Sequence, residues 1–168
     1  MLEAIPDHLT ENLTILFVGF NPSIRSSETG HHYANPNNRF WKILYDAGLT
    51  TEKLTADSDQ ELLQLGYGLT NIVSRPTKEA AEITKKEYEQ GRLERLDRIS
   101  YYQPKVVCFV GKGVYHQFRK RNQVKWGIQD IRVSNSNEFV APSSSGLVRM
   151  KMEEIVAIYK ELNTLIER

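Results

Sequence analysis

The sequence has one cysteine, Cys108, in 168 residues. A lone thiol excludes an internal disulfide framework and a cysteine-built zinc site, and it fits a reducing compartment. Long apolar runs are missing as well. The longest, Leu16-Phe17-Val18 and Val106 to Val110, fall far short of the roughly 20 residues that span a bilayer. The first ten residues carry two acids and a proline where a targeting signal would have a basic start and an apolar run. A cytoplasmic protein with no membrane association is therefore expected. Neither charge is in excess: 22 basic residues face 21 acidic ones, a net +1 that, taken whole, gives no sign of a polyanionic partner. The four histidines, His8, His31, His32 and His116, do not have metal-ligand spacing, so no metal and no cofactor is expected. What remains is an ordinary globular composition of a length that suits one domain, residues 1–168.

The run Thr14 to Phe20 is β-branched and apolar, stops at Asn21-Pro22, and suits a strand buried on both faces. Lys105 to Gly111 is a second such strand. Ser23 to Asn38 has no period and is expected to be one long loop. Asn38 suits the cap of a helix from about Arg39 to Ala47, closed by Gly48. A further helix is expected to begin at Asp57 or Ser58, and a short strand to run from Gly68 to Val73. Thr84 to Tyr101 is the clearest helix. It opens on the capping-box spacing Thr84-x-x-Glu87 and has Leu93, Leu96, Ile99 and Ser100 along one side. Gly113 to Lys120 suits a helix, and Asp130 to Val133 and Glu138 to Ala141 suit short strands. Lys151 to Ile166 suits one closing amphipathic helix. Strands alternating with helices predict an α/β fold, a three-layer α/β/α sandwich around a mostly parallel central sheet. Ligands in such sheets sit outside the carboxyl ends of the strands. That places Asn21 to Asn38 and Pro142 to Arg149 at the expected site.

Each motif there has a functional and a plain reading. Asn21 presents a neutral amide that can hold a water without taking its proton, or it merely makes an Asn-Pro turn. Tyr33, after Gly30-His31-His32, can be a platform for a stacked base or a buried tyrosine. Phe40-Trp41 reads as core packing. Gly111-Lys112-Gly113 follows a strand as phosphate loops do but lacks the full pattern, leaving a nucleotide binder as a weaker alternative. Ser143, Ser144 and Ser145 have no partnered base and no nucleophile-elbow pattern. They suit phosphate contacts ahead of a wedge, with Leu147 entering a base stack and Arg149 behind it, or a plain connection. Between Arg75 and Lys125, 13 basic residues face 6 acidic ones, a local excess that the net charge hides.

Gly19-Phe20-Asn21-Pro22, Gly30-His31-His32-Tyr33, Asn38-Arg39-Phe40-Trp41-Lys42, Arg75-Pro76-Thr77 and Pro142 to Arg149 occur in this order across nearly the whole chain. Together they resemble the mismatch-specific uracil/thymine DNA glycosylases of the uracil-DNA glycosylase superfamily. The resemblance implies that fold and a monofunctional enzyme acting on double-stranded DNA. Such an enzyme flips out and hydrolytically excises uracil, and more slowly thymine, mispaired with guanine. It implies that Asn21 positions the attacking water and that Tyr33 stacks on the flipped base. Gly19 and Phe20 would form the pocket floor, Ser26 would sit beside the pyrimidine C5 edge, and His32 would line the pocket. Gly146, Leu147 and Arg149 would form the wedge. It also implies base excision repair, a monomer, and association with the nucleoid in a prokaryote. Three positions depart from the family pattern: Phe20 for a usual Ile, Ser23 for a usual Gly, and Val148 for a usual Ser or other small residue. A non-catalytic mismatch-binding module on the same fold is the competing reading.

Overall fold

The computed structural model describes residues 3–121 and 123–166. Five strands form one sheet: β1 (Ile15–Gly19), β2 (Tyr67–Asn71), β3 (Val106–Val110), β4 (Gly127–Val133) and β5 (Ser136–Ala141). Their spatial order is β2-β1-β3-β5-β4. All neighbours are parallel except the hairpin pair β4 and β5. β1 and β3 lie inside the sheet and every residue in them is buried, which is why they read as unbroken apolar runs.

Alternate residues of β1 feed two cores. Ile15 and Phe17 pack with Phe40, Ile43 and Leu44 of α2 (Phe40–Asp46), Leu62 of α3 (Glu61–Gln64), and Ile155 and Tyr159 of α6 (Met152–Lys160). Leu16 and Val18 pack on the other face with Tyr88 and Ile99 of α4 (Lys85–Tyr102) and with Val114, Tyr115 and Phe118 of α5 (Lys112–Arg119). Helices therefore cover both faces of the sheet, giving the expected three layers. Among the described residues no helix is long and apolar enough to cross a membrane.

Three expectations need correction. The stretch Ser23 to Asn38 is not all loop, because α1 (Ile24–Thr29) forms within it. Ser23 caps this helix through its hydroxyl, and Gly30 closes it in the left-handed region at φ 75°. Six residues are too few to show a helical period. The buried side of α4 is Tyr88, Gly91, Arg95 and Ile99, while Leu93 is 62% exposed. Gly91 is there because a Cβ would lie 1.8 Å from the Ile72 carbonyl oxygen. The closing helix breaks at Glu161 into α6 and α7 (Leu162–Leu165).

Candidate active site

A cavity of about 660 Å³ opens at the carboxyl ends of β1, β2 and β3, walled on one side by residues 143–147. Its described lining contains asparagines, serines, one histidine and one tyrosine, and no Asp or Glu.

Asn21 follows β1 directly and lines this cavity. Its Nδ2 donates to the Arg75 carbonyl at 2.7 Å and to Thr77 Oγ1 at 2.8 Å. A carbonyl can only accept, so the amide's NH₂ side must face Arg75 and its Oδ1 must face away. Thr77 is locked in turn, since its hydroxyl donates to the Glu79 carbonyl at 2.8 Å. Arg75 is held by Glu87, with Nε to Oε2 at 2.8 Å and Nη2 to Oε1 at 3.0 Å. That guanidinium holds the Glu87 carboxyl down to about 2. Glu87 also closes the α4 capping box with Thr84. The start of α4 thus fixes the loop that orients Asn21.

Gly19 and Phe20, at the end of β1, line the cavity. A Cβ on Gly19 would lie 2.7 Å from Asn71 Oδ1 and 3.0 Å from the Tyr33 hydroxyl, so only glycine lets both groups approach. The Phe20 ring turns away onto Gly113, where a Cβ would come within 2.6 Å of it. Phe20 therefore offers the cavity mainly backbone. Among the described residues, the N–H groups of Phe20 and Asn21 have no hydrogen-bond acceptor.

Tyr33 lies in the left-handed region, φ 53°, an uncommon place for an aromatic residue. Its ring stacks on Phe40 at 3.9 Å and 13°, and Trp41 Nε1 donates to its carbonyl at 3.2 Å. Phe40 and Trp41 are core residues, as expected, and they also hold Tyr33. With one face against Phe40, only the opposite ring face can take a further stacked group. Burial pushes the Tyr33 hydroxyl well above its ordinary pKa, and that hydroxyl is without a partner among the described residues.

His32 is buried, with ring Nε2 3.0 Å from the Pro6 carbonyl and the His32 backbone N–H donating to Asp59 Oδ2 at 2.7 Å. The carbonyl partner assigns the proton to Nε2. Burial lowers the pKa of the ring, so His32 lines the cavity as a neutral group. His31 Nδ1 lies 3.1 Å from Asp59 Oδ1, outside the cavity lining. Ser26 lines the cavity, and its Oγ accepts from the Ala34 N–H at 3.1 Å and from Ser23 Oγ at 3.1 Å. It ties α1 to the turn that carries Tyr33. Ser23, a departure from the family pattern, earns its place as the cap.

In the wall, Ser143 Oγ accepts from the Ser145 N–H and Ser145 Oγ from the Leu147 N–H, each at 3.2 Å. Ser144 is buried. Leu147 is 91% exposed, and Arg149 is exposed with no partner among the described residues. Gly146 fits against the Asn37 carbonyl, which a Cβ would approach to 2.6 Å. Val148 turns inward onto the α2/α6 core, which accounts for a larger residue there. The phosphate-loop reading of Gly111-Lys112-Gly113 fails. The Lys112 ammonium lies 4.2 Å from the centre of the Trp126 ring, and Gly113 makes room for Phe20. Among the described residues, no three His, Cys, Asp or Glu side chains come together as metal ligands would.

Asn71 was not singled out from sequence. It ends β2, pairs in register with Gly19, lines the cavity, and has no side-chain partner among the described residues. Its carbonyl is held by Arg95 of α4. No sequence signal marks it, because the expected strand ran on from Gly68 to Val73 and only the earlier end of β2 leaves its amide at the cavity.

An amide where hydrolases often place a carboxylate suits a reaction in which water is held and not deprotonated. An aromatic wall over polar edges suits a flat heterocycle. These properties suit a flat heterocyclic ring held beside a bound water better than they suit a nucleotide held by its phosphates. The whole chain agrees: residues 6–164 match the Uracil DNA glycosylase superfamily, and the chain belongs to that superfamily. Membership implies a DNA glycosylase, a hydrolase of N-glycosidic bonds acting on DNA. A candidate uracil DNA glycosylase from Methanosarcina acetivorans, solved by solution NMR, shares the fold with a TM-score of 0.64. It is 21% identical over 96% of this chain and 98% of its own.

Proposed function

We propose that the protein is a monofunctional glycosylase that flips and excises uracil mispaired with guanine in duplex DNA, leaving an abasic site. Thymine and related modified pyrimidines are slower substrates. The observation that carries this reading is Asn21, its NH₂ side tied to Arg75 and Thr77 and its Oδ1 left for a water.

A base in a duplex must leave the stack to reach this cavity. Flipping costs a few kcal/mol, least for a mismatched pair, so G:U and G:T wobble pairs are favoured. Tyr33 receives the flipped ring on its free face, and the carboxamide of Asn71 meets its polar edge. Breaking the glycosidic bond puts positive charge on the sugar and negative charge on the departing pyrimidine. The N–H groups of Phe20 and Asn21 are fixed dipoles for that negative charge. Asn21 holds water near the sugar carbon. With no carboxylate in the lining and His32 neutral, the site forgoes the roughly 10²–10⁴-fold of general-base assistance. The enzyme is therefore slow and depends on the stability of its leaving group. Thymine is slower than uracil because its methyl must fit beside Ser26, whose hydroxyl is already engaged by Ala34 and Ser23.

The test is single-turnover excision on a labelled G:U duplex, followed by alkali and strand separation. Wild-type protein should yield cleavage at the lesion. Asn21→Ala should keep DNA binding and lose most excision. Undiminished excision by Asn21→Ala would sink the assignment, and binding without excision by the wild type would identify a mismatch-binding module instead.

A further inference from the structure

Arg39 precedes α2 and touches residues far away in sequence. Its backbone N–H donates to the Ser144 carbonyl at 2.9 Å. Its Nη2 donates to the Ser145 carbonyl at 3.0 Å and to the Val148 carbonyl at 3.3 Å. Those two carbonyls bracket Gly146-Leu147, and the Val148 N–H closes the same turn onto Ser145 at 3.2 Å. No carboxylate pairs with Arg39 among the described residues, and its Nε is buried without a partner. A surface ion pair therefore does not account for it.

Leu147, at 91% exposure, has almost no packing to set its direction, so its backbone must do so. That backbone is seated on residues 37–39: the Asn37 carbonyl lies under Gly146 and the Arg39 guanidinium spans the turn. The next residue, Phe40, carries the ring stacked under Tyr33. One dipeptide thus supports the wedge on one side and the base platform on the other.

We propose that Arg39 is a positioning residue that holds the Leu147 turn preorganised for entry into the duplex, in fixed relation to the Tyr33 platform. The proposal rests on the glycosylase reading. A planar guanidinium is suited to this because one nitrogen reaches both carbonyls in a fixed orientation, while a lysine ammonium has no fixed plane. A wedge is needed only where a stacked partner strand must be held apart, so the effect of Arg39 belongs to duplex substrates.

Single-turnover excision is measured on uracil in a G:U duplex and in a single strand, for wild type, Arg39→Ala, Arg39→Lys, Leu147→Ala and the Arg39→Ala/Leu147→Ala double variant. Arg39→Ala should lower duplex excision by about tenfold or more and single-strand excision by no more than about twofold. Arg39→Lys should fall between wild type and Arg39→Ala on duplex. The double variant should be no slower on duplex than Leu147→Ala alone, because both changes disable one device. Equal losses of Arg39→Ala on both substrates, or losses that multiply in the double variant, would overturn the proposal while leaving the glycosylase reading intact. Should Arg39→Ala fail to fold by circular dichroism, Arg39→Lys must show the same duplex-selective loss or the proposal falls. No uracil release by the wild type from either substrate would overturn the glycosylase reading, and this proposal with it.

Discussion

Thr77→Val separates the orientation of Asn21 from its presence. Valine has nearly the shape of threonine but cannot hydrogen-bond, so the change deletes the bond from Asn21 Nδ2 at 2.8 Å and the bond to the Glu79 carbonyl at 2.8 Å. Each such bond contributes about 0.5–1.5 kcal/mol net, so about 1–3 kcal/mol of stability is at stake. Only the first bond bears on the reaction. The Arg75 carbonyl, 2.7 Å away, still holds the amide from the other side. The transition state then loses the orienting share of one bond, which corresponds to a roughly two- to thirteenfold slower chemical step. Asn21→Ala, which removes the oxygen proposed to hold the water, must cost more. Single-turnover excision on a G:U duplex with enzyme in excess reads the step, and fluorescence anisotropy shows whether binding is kept. Thr77→Ser restores the hydroxyl and should restore most of the rate. Wild-type excision by Thr77→Val would refute the idea that Thr77 orients Asn21. A Thr77→Ser variant as slow as Thr77→Val would place the effect in the methyl group and its packing.

Two further outcomes follow from the site. Leu147→Ala should slow excision from duplex far more than from single strands; an equal loss on both, in the same gel assay, would count against a wedge. His32 is buried and its pKa is lowered, so the unfolded chain takes up a proton below about 6.5 more readily than the folded one. Native stability should therefore fall as pH drops below that value. His32→Gln, which can still donate to the Pro6 carbonyl but does not titrate, should flatten that dependence in thermal unfolding series from pH 7.5 to 5. Parallel slopes for the two proteins would move the titration to another group.

Strands β1 and β3 were legible because both faces are buried and the apolar runs are unbroken. The start of α4 was legible because its capping box is local in sequence. Its buried face was not, because that face contains Gly91, chosen for contact with the Ile72 carbonyl, and Arg95, chosen to reach Asn71. Neither residue scores as apolar. The same limit applies to the site. Asn21, Tyr33 and the Ser143 to Arg149 loop lie where strand ends and loops could be read. Thr77 and Arg39 act on partners 56 and up to 109 residues away, and no local pattern encodes such a contact. Asn71 sat inside a predicted strand, where its amide gave no hint that it faces a cavity.

The basic segment changes meaning once its partners are known. Of the 13 basic residues between Arg75 and Lys125, five arginines are already engaged within the fold. Arg75 pairs with Glu87, Arg119 with buried Glu138, and Arg121 with Asp130. Arg92 donates to the Phe118 carbonyl, and Arg95 to that of Asn71. Lys112 lies on Trp126. Among the described residues, the cations without a partner that are placed to meet phosphates include Lys78 in the cavity lining, exposed Lys85 and Lys86 at the start of α4, and exposed Arg149 behind Leu147. With about four phosphates neutralised, log K for duplex should fall against log salt with a slope of about −3 to −4. Lys78→Ala should reduce that slope by about 1 and weaken all sequences alike. Anisotropy titrations between 50 and 200 mM salt, about the range over which counterion release is read, measure both. A flat response would remove duplex DNA as the substrate. A slope near −10 would mean that cations beyond these four meet phosphates, either exposed Arg25, Arg98, Lys125 and Lys151 or the paired arginines.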